Sequence, residues 1–131
     1  MPKVIIDSSF YVSLAIDGDI NHLRAHLAAK KITGAKITTE DFLKETLTVV
    51  SQRQGKQAAG IFYQYVISDT EILPVTTELF YIGLKKFLSP KLNKNISLID
   101  CIGAAVYEDI RADAIASFDG HFKLLGMKVV P

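Results

Sequence analysis

Residues 4–6 read Val-Ile-Ile, apolar at every position and too short for a helix, which is the pattern of a strand covered on both faces. Comparable short runs occupy 36–38, 71–75, 114–118 and 128–130. The stretches between them carry apolar residues at helical spacing. Strands separated by helices cannot pair as hairpins, so the chain is expected to form an α/β sandwich with about five strands in a mostly parallel sheet and helices on both faces. With 131 residues it fits a single domain spanning 1–131.

The helices have recognisable starts and stops. Ser8 or Ser9 is expected to cap a helix containing Phe10, Val12, Leu14 and Ala15. A second is expected over 20–31, with Leu23, Leu27 and Ala28 on its apolar side. Thr38 and Thr39 precede a strong amphipathic segment at 40–53, and Gly55 separates it from another at 56–68. Pro74 marks the third strand as an edge or an early end. A helix over 76–88 stops before Pro90, and one over 98–110 is apolar almost all round and should be buried.

Bulk properties exclude several classes. Fifteen basic and fourteen acidic side chains leave a formal charge of +1, so any contact with nucleic acid must be local. The one cysteine, Cys101, rules out an internal disulfide and suits a reducing compartment. The stretch MPKVIID reaches a charge after three aliphatics, short of a signal peptide's apolar core. No run approaches the roughly 18 apolar residues that span a bilayer, so a cytoplasmic protein is expected.

Two strands run straight into a carboxylate: KVIID ends in Asp7, and AIASFD ends in Asp119. In open parallel sheets, ligands sit at the carboxyl ends of strands, so the two acids can be spatial neighbours. Glu45 lies between Phe42 and Val49 and so borders the apolar stripe of its helix. Asp100 lies in the first turn of the most apolar helix, where the helix dipole offsets only about 0.3–1 kcal/mol of its desolvation. Each acid also has a plain structural reading. Asp7 can cap a helix, Asp100 can form a capping box with Ser97, Asp119 can open a turn before Gly120, and Glu45 can pair with a lysine. Together they favour a cation, because clustered carboxylates repel unless a metal lies among them, and oxygen donors suit Mg²⁺ or Mn²⁺.

This pattern resembles the PIN domain and, more narrowly, the small VapC-type toxin ribonucleases of toxin–antitoxin pairs. The resemblance covers essentially the whole chain. It rests on Asp7 at the end of the first strand, Glu45 in ITTEDFLKETLTVV, and Asp100 and Asp119 in SLIDCIGAAVYEDIRADAIASFDGHF. Ser9 matches the family's small polar position near the metal, and Ser117 stands where Thr is commoner. The resemblance implies a PIN-like three-layer sandwich and a Mg²⁺- or Mn²⁺-dependent endoribonuclease. In it Asp7, Glu45, Asp100 and Asp119 hold the metal, and water attacks the phosphorus. It also implies a homodimer and a cognate antitoxin that blocks the site.

From residue 79 to 99 there is no acid, whereas Lys85, Lys86, Lys91 and Lys94 fall there, so this segment is a candidate guide for an RNA backbone; a solvated helix face and loop is the alternative. His22 and His26 have the spacing of a zinc pair, but Leu23 stands where HExxH needs Glu, which leaves them as surface histidines. Cys101 is expected to pack as a small apolar residue, and Phe62, Tyr63 and Tyr65 to serve a helix core or dimer interface. Two other functions fit parts of the pattern: a PIN nuclease in RNA processing, and a non-catalytic receiver-like signalling domain. The latter needs paired acids after strand one, and here Ser8 follows Asp7.

Overall fold

The computed structural model describes residues 1–131. Five strands, β1 (Lys3–Ile6), β2 (Ala35–Thr39), β3 (Thr70–Leu73), β4 (Ala114–Ala116) and β5 (Val129–Val130), form one sheet in the order β3-β2-β1-β4-β5. Every neighbouring pair is parallel. Seven helices connect and cover them: α1 (Ser8–Ala15), α2 (His22–Lys31), α3 (Glu40–Gln54), α4 (Lys56–Asp69), α5 (Thr77–Phe87), α6 (Leu98–Asp109) and α7 (His121–Leu124). A receiver-like domain would have the order 2-1-3-4-5, so the strand order overturns that reading. Pro74 follows directly on β3, which is an edge strand.

Alternation along β1 builds two cores. Val4 and Ile6 point to one face, where they meet Phe10, Leu14, Ala25, Leu43 and Val66. Ile5 points to the other, against Phe42, Ala104, Val106, Ile115 and Phe122. Helix α3 serves both, Leu43 on one side and Phe42 on the other. Helix α6 is buried continuously from Cys101 to Val106, as its composition requires, and Cys101 packs as an apolar side chain. α5 lies against α6 at a close crossing: a Cβ on Gly83 would stand 2.6 Å from Ile102 Cγ1 and 2.8 Å from its Cα.

Two local expectations fail. The cap of α1 is Asp7, which accepts the Phe10 N–H, and not Ser8 or Ser9. Helix α2 begins at His22, and its large apolar residues Leu23 and Leu27 are exposed while Ala25 is fully buried. The helix docks through its smallest side chain, which lets its backbone approach α1 closely. Tyr63 and Tyr65 are both exposed on α4, whereas Phe62 meets Tyr11 edge-on at 5.7 Å. Helix α7 is an addition, since four residues carry no periodic signal. No helix is long and apolar enough to cross a membrane.

Candidate metal centre

The strand order reverses direction between β1 and β4, the place where open α/β sheets leave a crevice at their carboxyl edge. Asp7 directly follows β1 and Asp119 lies three residues beyond β4. A cleft there is lined by Asp7, Glu45, Asp100 and Asp119, together with Ser8, Ser9 and Asn95 among others. Four carboxylates from four separate segments thus face one opening. No lysine or arginine lines it.

Asp7 is the floor. Its Oδ1 accepts from Ser9 Oγ at 2.8 Å and from the Phe10 N–H at 3.0 Å, and its Oδ2 accepts from Ser117 Oγ at 2.8 Å. Ser9 Oγ in turn accepts the Phe118 N–H, and Ser117 Oγ accepts the Asp119 N–H. The two serines therefore stitch the end of β1 to the end of β4 and hold Asp7 and Asp119 in register. Burial pushes the Asp7 carboxyl up to about 7, with its three hydrogen bonds opposing and Asp119 adding to the rise.

Asp100 rises from the first turn of α6, whose cap is Ser97; the Ser97 hydroxyl accepts the Asp100 N–H at 3.1 Å. The Asp100 carboxyl turns into the cleft, where burial raises its pKa, the hydrogen bond from His121 lowers it and Asp119 raises it again. Asp119 Oδ1 accepts the His121 N–H at 2.9 Å, so this acid makes its turn and faces the cleft as well. Glu45 projects from α3 and is exposed on the rim, where its Oε2 accepts from Ser8 Oγ at 2.8 Å.

The four lysines of the 79–99 segment separate. Lys86 Nζ is 2.9 Å from Glu108 Oε1 near the carboxyl end of α6, eight residues beyond Asp100. Lys85 is exposed on α5, while Lys91 and Lys94 are exposed on the loop that brings Asn95 and Ser97 to the cleft. His22 and His26 stack edge-on at 4.5 Å on α2, and His22 Nδ1 is bonded to the Ser13 carbonyl.

His121 was not singled out from the sequence. Its Nδ1 lies 3.3 Å from Asp100 Oδ2 and 3.3 Å from Asp119 Oδ1. One donor atom from each of Asp100, Asp119 and His121 falls within 4.8 Å of the others. The available signal was the motif D-G-H, in which a turn-forming Gly120 folds the ring back over the acid two residues before it.

The donor set fits a divalent cation. It is rich in oxygen and gathered in one cleft, it includes two carboxyls that burial biases toward the neutral form, and no fixed cation balances it.

Several solved structures share this architecture. Mycobacterium tuberculosis VapC20, a sarcin-ricin loop cleaving toxin, superposes with a TM-score of 0.88 at 22% identity over 95% of each chain. A toxin–antitoxin complex from Klebsiella pneumoniae gives a TM-score of 0.70 at 13% identity over 98% of this chain and 96% of that one. VapBC2 from Rickettsia felis, bound to a DNA fragment from its promoter, gives 0.70 at 15% identity over 98% and 97%. The chain has the PIN-like α/β fold of the VapC toxins. No protein-family model matches the sequence, and no curated protein does.

Proposed function

We propose that this chain is a metal-dependent endoribonuclease and the toxin of a type II toxin–antitoxin pair. The observation that carries the reading is the convergence of Asp7, Glu45, Asp100 and Asp119 on one cleft at the switch point of the sheet, without a lysine or arginine in its lining. The fold shared with VapC20 supports RNA as the substrate class, and the toxin–antitoxin complexes of the same fold support an antitoxin partner, which in this reading blocks the cleft.

Asp7, Asp100, Asp119 and Glu45 would hold Mg²⁺ or Mn²⁺, which when bound supplies Lewis acidity toward a phosphodiester and a water of lowered pKa. Ser9 and Ser117 orient Asp7 by donating to its two oxygens, and Ser8 restrains Glu45 on the rim. Lys91 and Lys94, on the loop that enters the cleft at Asn95, would attract the RNA backbone, with Lys85 further out. Lys86 contributes less, because Glu108 holds it. In this reading the protein acts as a homodimer in the cytoplasm.

The test is to incubate the purified protein with mixed transfer and ribosomal RNA in Mg²⁺, Mn²⁺ or EDTA. The reading requires cleavage that depends on metal and is lost in Asp100→Asn. Cleavage that persists in EDTA, or that is equal in the variant, contradicts it.

A further inference from the structure

The acids account for the charge of the cleft but leave His121 without a role. Its position is well fixed. Phe122, the next residue, is wholly buried and meets Phe42 edge-on at 6.1 Å, while the His121 N–H is held by Asp119 Oδ1. The backbone is therefore pinned on both sides of the ring, and the side chain remains about one-third exposed toward the cleft.

The distances around Nδ1 are informative. A charge-assisted N–H···O bond runs to about 2.7–2.9 Å. Nδ1 instead makes a long hydrogen bond of 3.3 Å to Asp100 Oδ2 and stands equally far, 3.3 Å, from Asp119 Oδ1. Two donors bound to one ion at about 2.1 Å are about 3.0 Å apart at a right angle and about 3.4 Å apart at the tetrahedral angle. The observed spacing lies inside that interval for both carboxylates.

We infer that His121 Nδ1 is a nitrogen ligand of the cation in this cleft, beside the carboxylates of Asp100 and Asp119, and that it tilts the site from Mg²⁺ toward Mn²⁺ and later first-row divalent ions. The inference rests on the metal-centre reading above and adds a donor that carboxylate chemistry does not supply. Mg²⁺ is a hard ion that takes oxygen donors, whereas imidazole suits iron, nickel, copper and zinc best, with Mn²⁺, at the weak end of that series, between the two. Removing the ring should therefore cost Mn²⁺ more than it costs Mg²⁺.

The decisive experiment is pulsed electron paramagnetic resonance on the intact protein loaded with Mn²⁺, using histidines at natural abundance and labelled with ¹⁵N. The expected result is nitrogen modulation of the Mn²⁺ signal that changes with the label, survives in a His22→Gln/His26→Gln variant and disappears in His121→Gln. Titration should then show Mn²⁺ affinity falling by about tenfold or more in His121→Gln, the scale on which even outer partners of metal ligands act, with a smaller fall for Mg²⁺. If Mn²⁺ binds the wild type with no histidine nitrogen in the signal, the inference is overturned and the carboxylate centre stands. If the wild type binds no Mn²⁺ at all, both fall together. The wild-type spectrum decides the ligand by itself, whatever the variant does to folding.

Discussion

Ser117 donates a hydrogen bond from its Oγ to Asp7 Oδ2 across 2.8 Å, joining residues 110 positions apart at the switch point of the sheet. The same oxygen accepts the Asp119 N–H at 2.9 Å, so one hydroxyl positions two of the four acids. Ser117→Ala should therefore destabilise the protein by about 1–3 kcal/mol, the cost of leaving a buried polar group unsatisfied. Urea unfolding at pH 8 reads this directly, as a lower midpoint at unchanged slope. Ser117→Thr keeps the hydroxyl and should recover most of the loss.

The Asp7 carboxyl gives the metal-free protein a pH dependence of definite sign. Its pKa rises from 3.8 to about 7 on folding, so between these values the folded state binds the proton that the unfolded state has released. Stability contributed by this group is complete below about pH 4 and is lost as pH rises through about 7. The full swing is on the order of 4 kcal/mol. In EDTA, Asp7→Asn should leave unfolding below about pH 4 nearly unchanged and should stabilise the protein increasingly from there to pH 8. A variant that is less stable than wild type at pH 8 would contradict this assignment.

The α5–α6 crossing makes a prediction that is independent of the site. A Cβ at Gly83 would meet Ile102 Cγ1 at 2.6 Å, its Cα at 2.8 Å and its N at 2.9 Å, and two of these are backbone atoms that cannot rotate away. Gly83→Ala gains at most about 1 kcal/mol in helix propensity. Overpacking costs about 1–3 kcal/mol, so the net effect should be a melting point lower by several degrees. An unchanged or higher melting point would show that the two helices move apart without cost.

Much of this was legible because the residues concerned obey strong local rules. Val-Ile-Ile at 4–6 has one comfortable environment, a sheet interior, and a strand that ends there must place Asp7 at the carboxyl edge. Asp100 stood out because a carboxylate in so apolar a helix demands a reason. Reading failed where size or isolation misled. The face expected for α2 holds Leu23, Leu27 and Ala28, but close packing on α1 selects Ala25, keeps Ala28 against the core and leaves both leucines exposed. Lys86 looked available until tertiary structure brought Glu108 to it from a different helix. His121 lacked any partner in sequence beyond Asp119, because Asp100, 21 residues earlier, reaches it only once α6 and α7 are packed.

The central claim is that these acids form a cation site, and thermal melts of wild type and Asp100→Asn, each in EDTA and in Mn²⁺, test it without knowledge of the RNA. Asp100 faces Asp119 and is substantially buried, so in EDTA its neutralisation should relieve desolvation and repulsion and raise the melting point. Mn²⁺ at about 100-fold over its dissociation constant should stabilise the wild type by roughly 2.7 kcal/mol, a rise of several degrees, and the variant by clearly less. If Mn²⁺ moves neither protein, and Asp100→Asn melts at or below wild type in EDTA, then Asp100 is a helix-end residue and the cleft is not a metal centre.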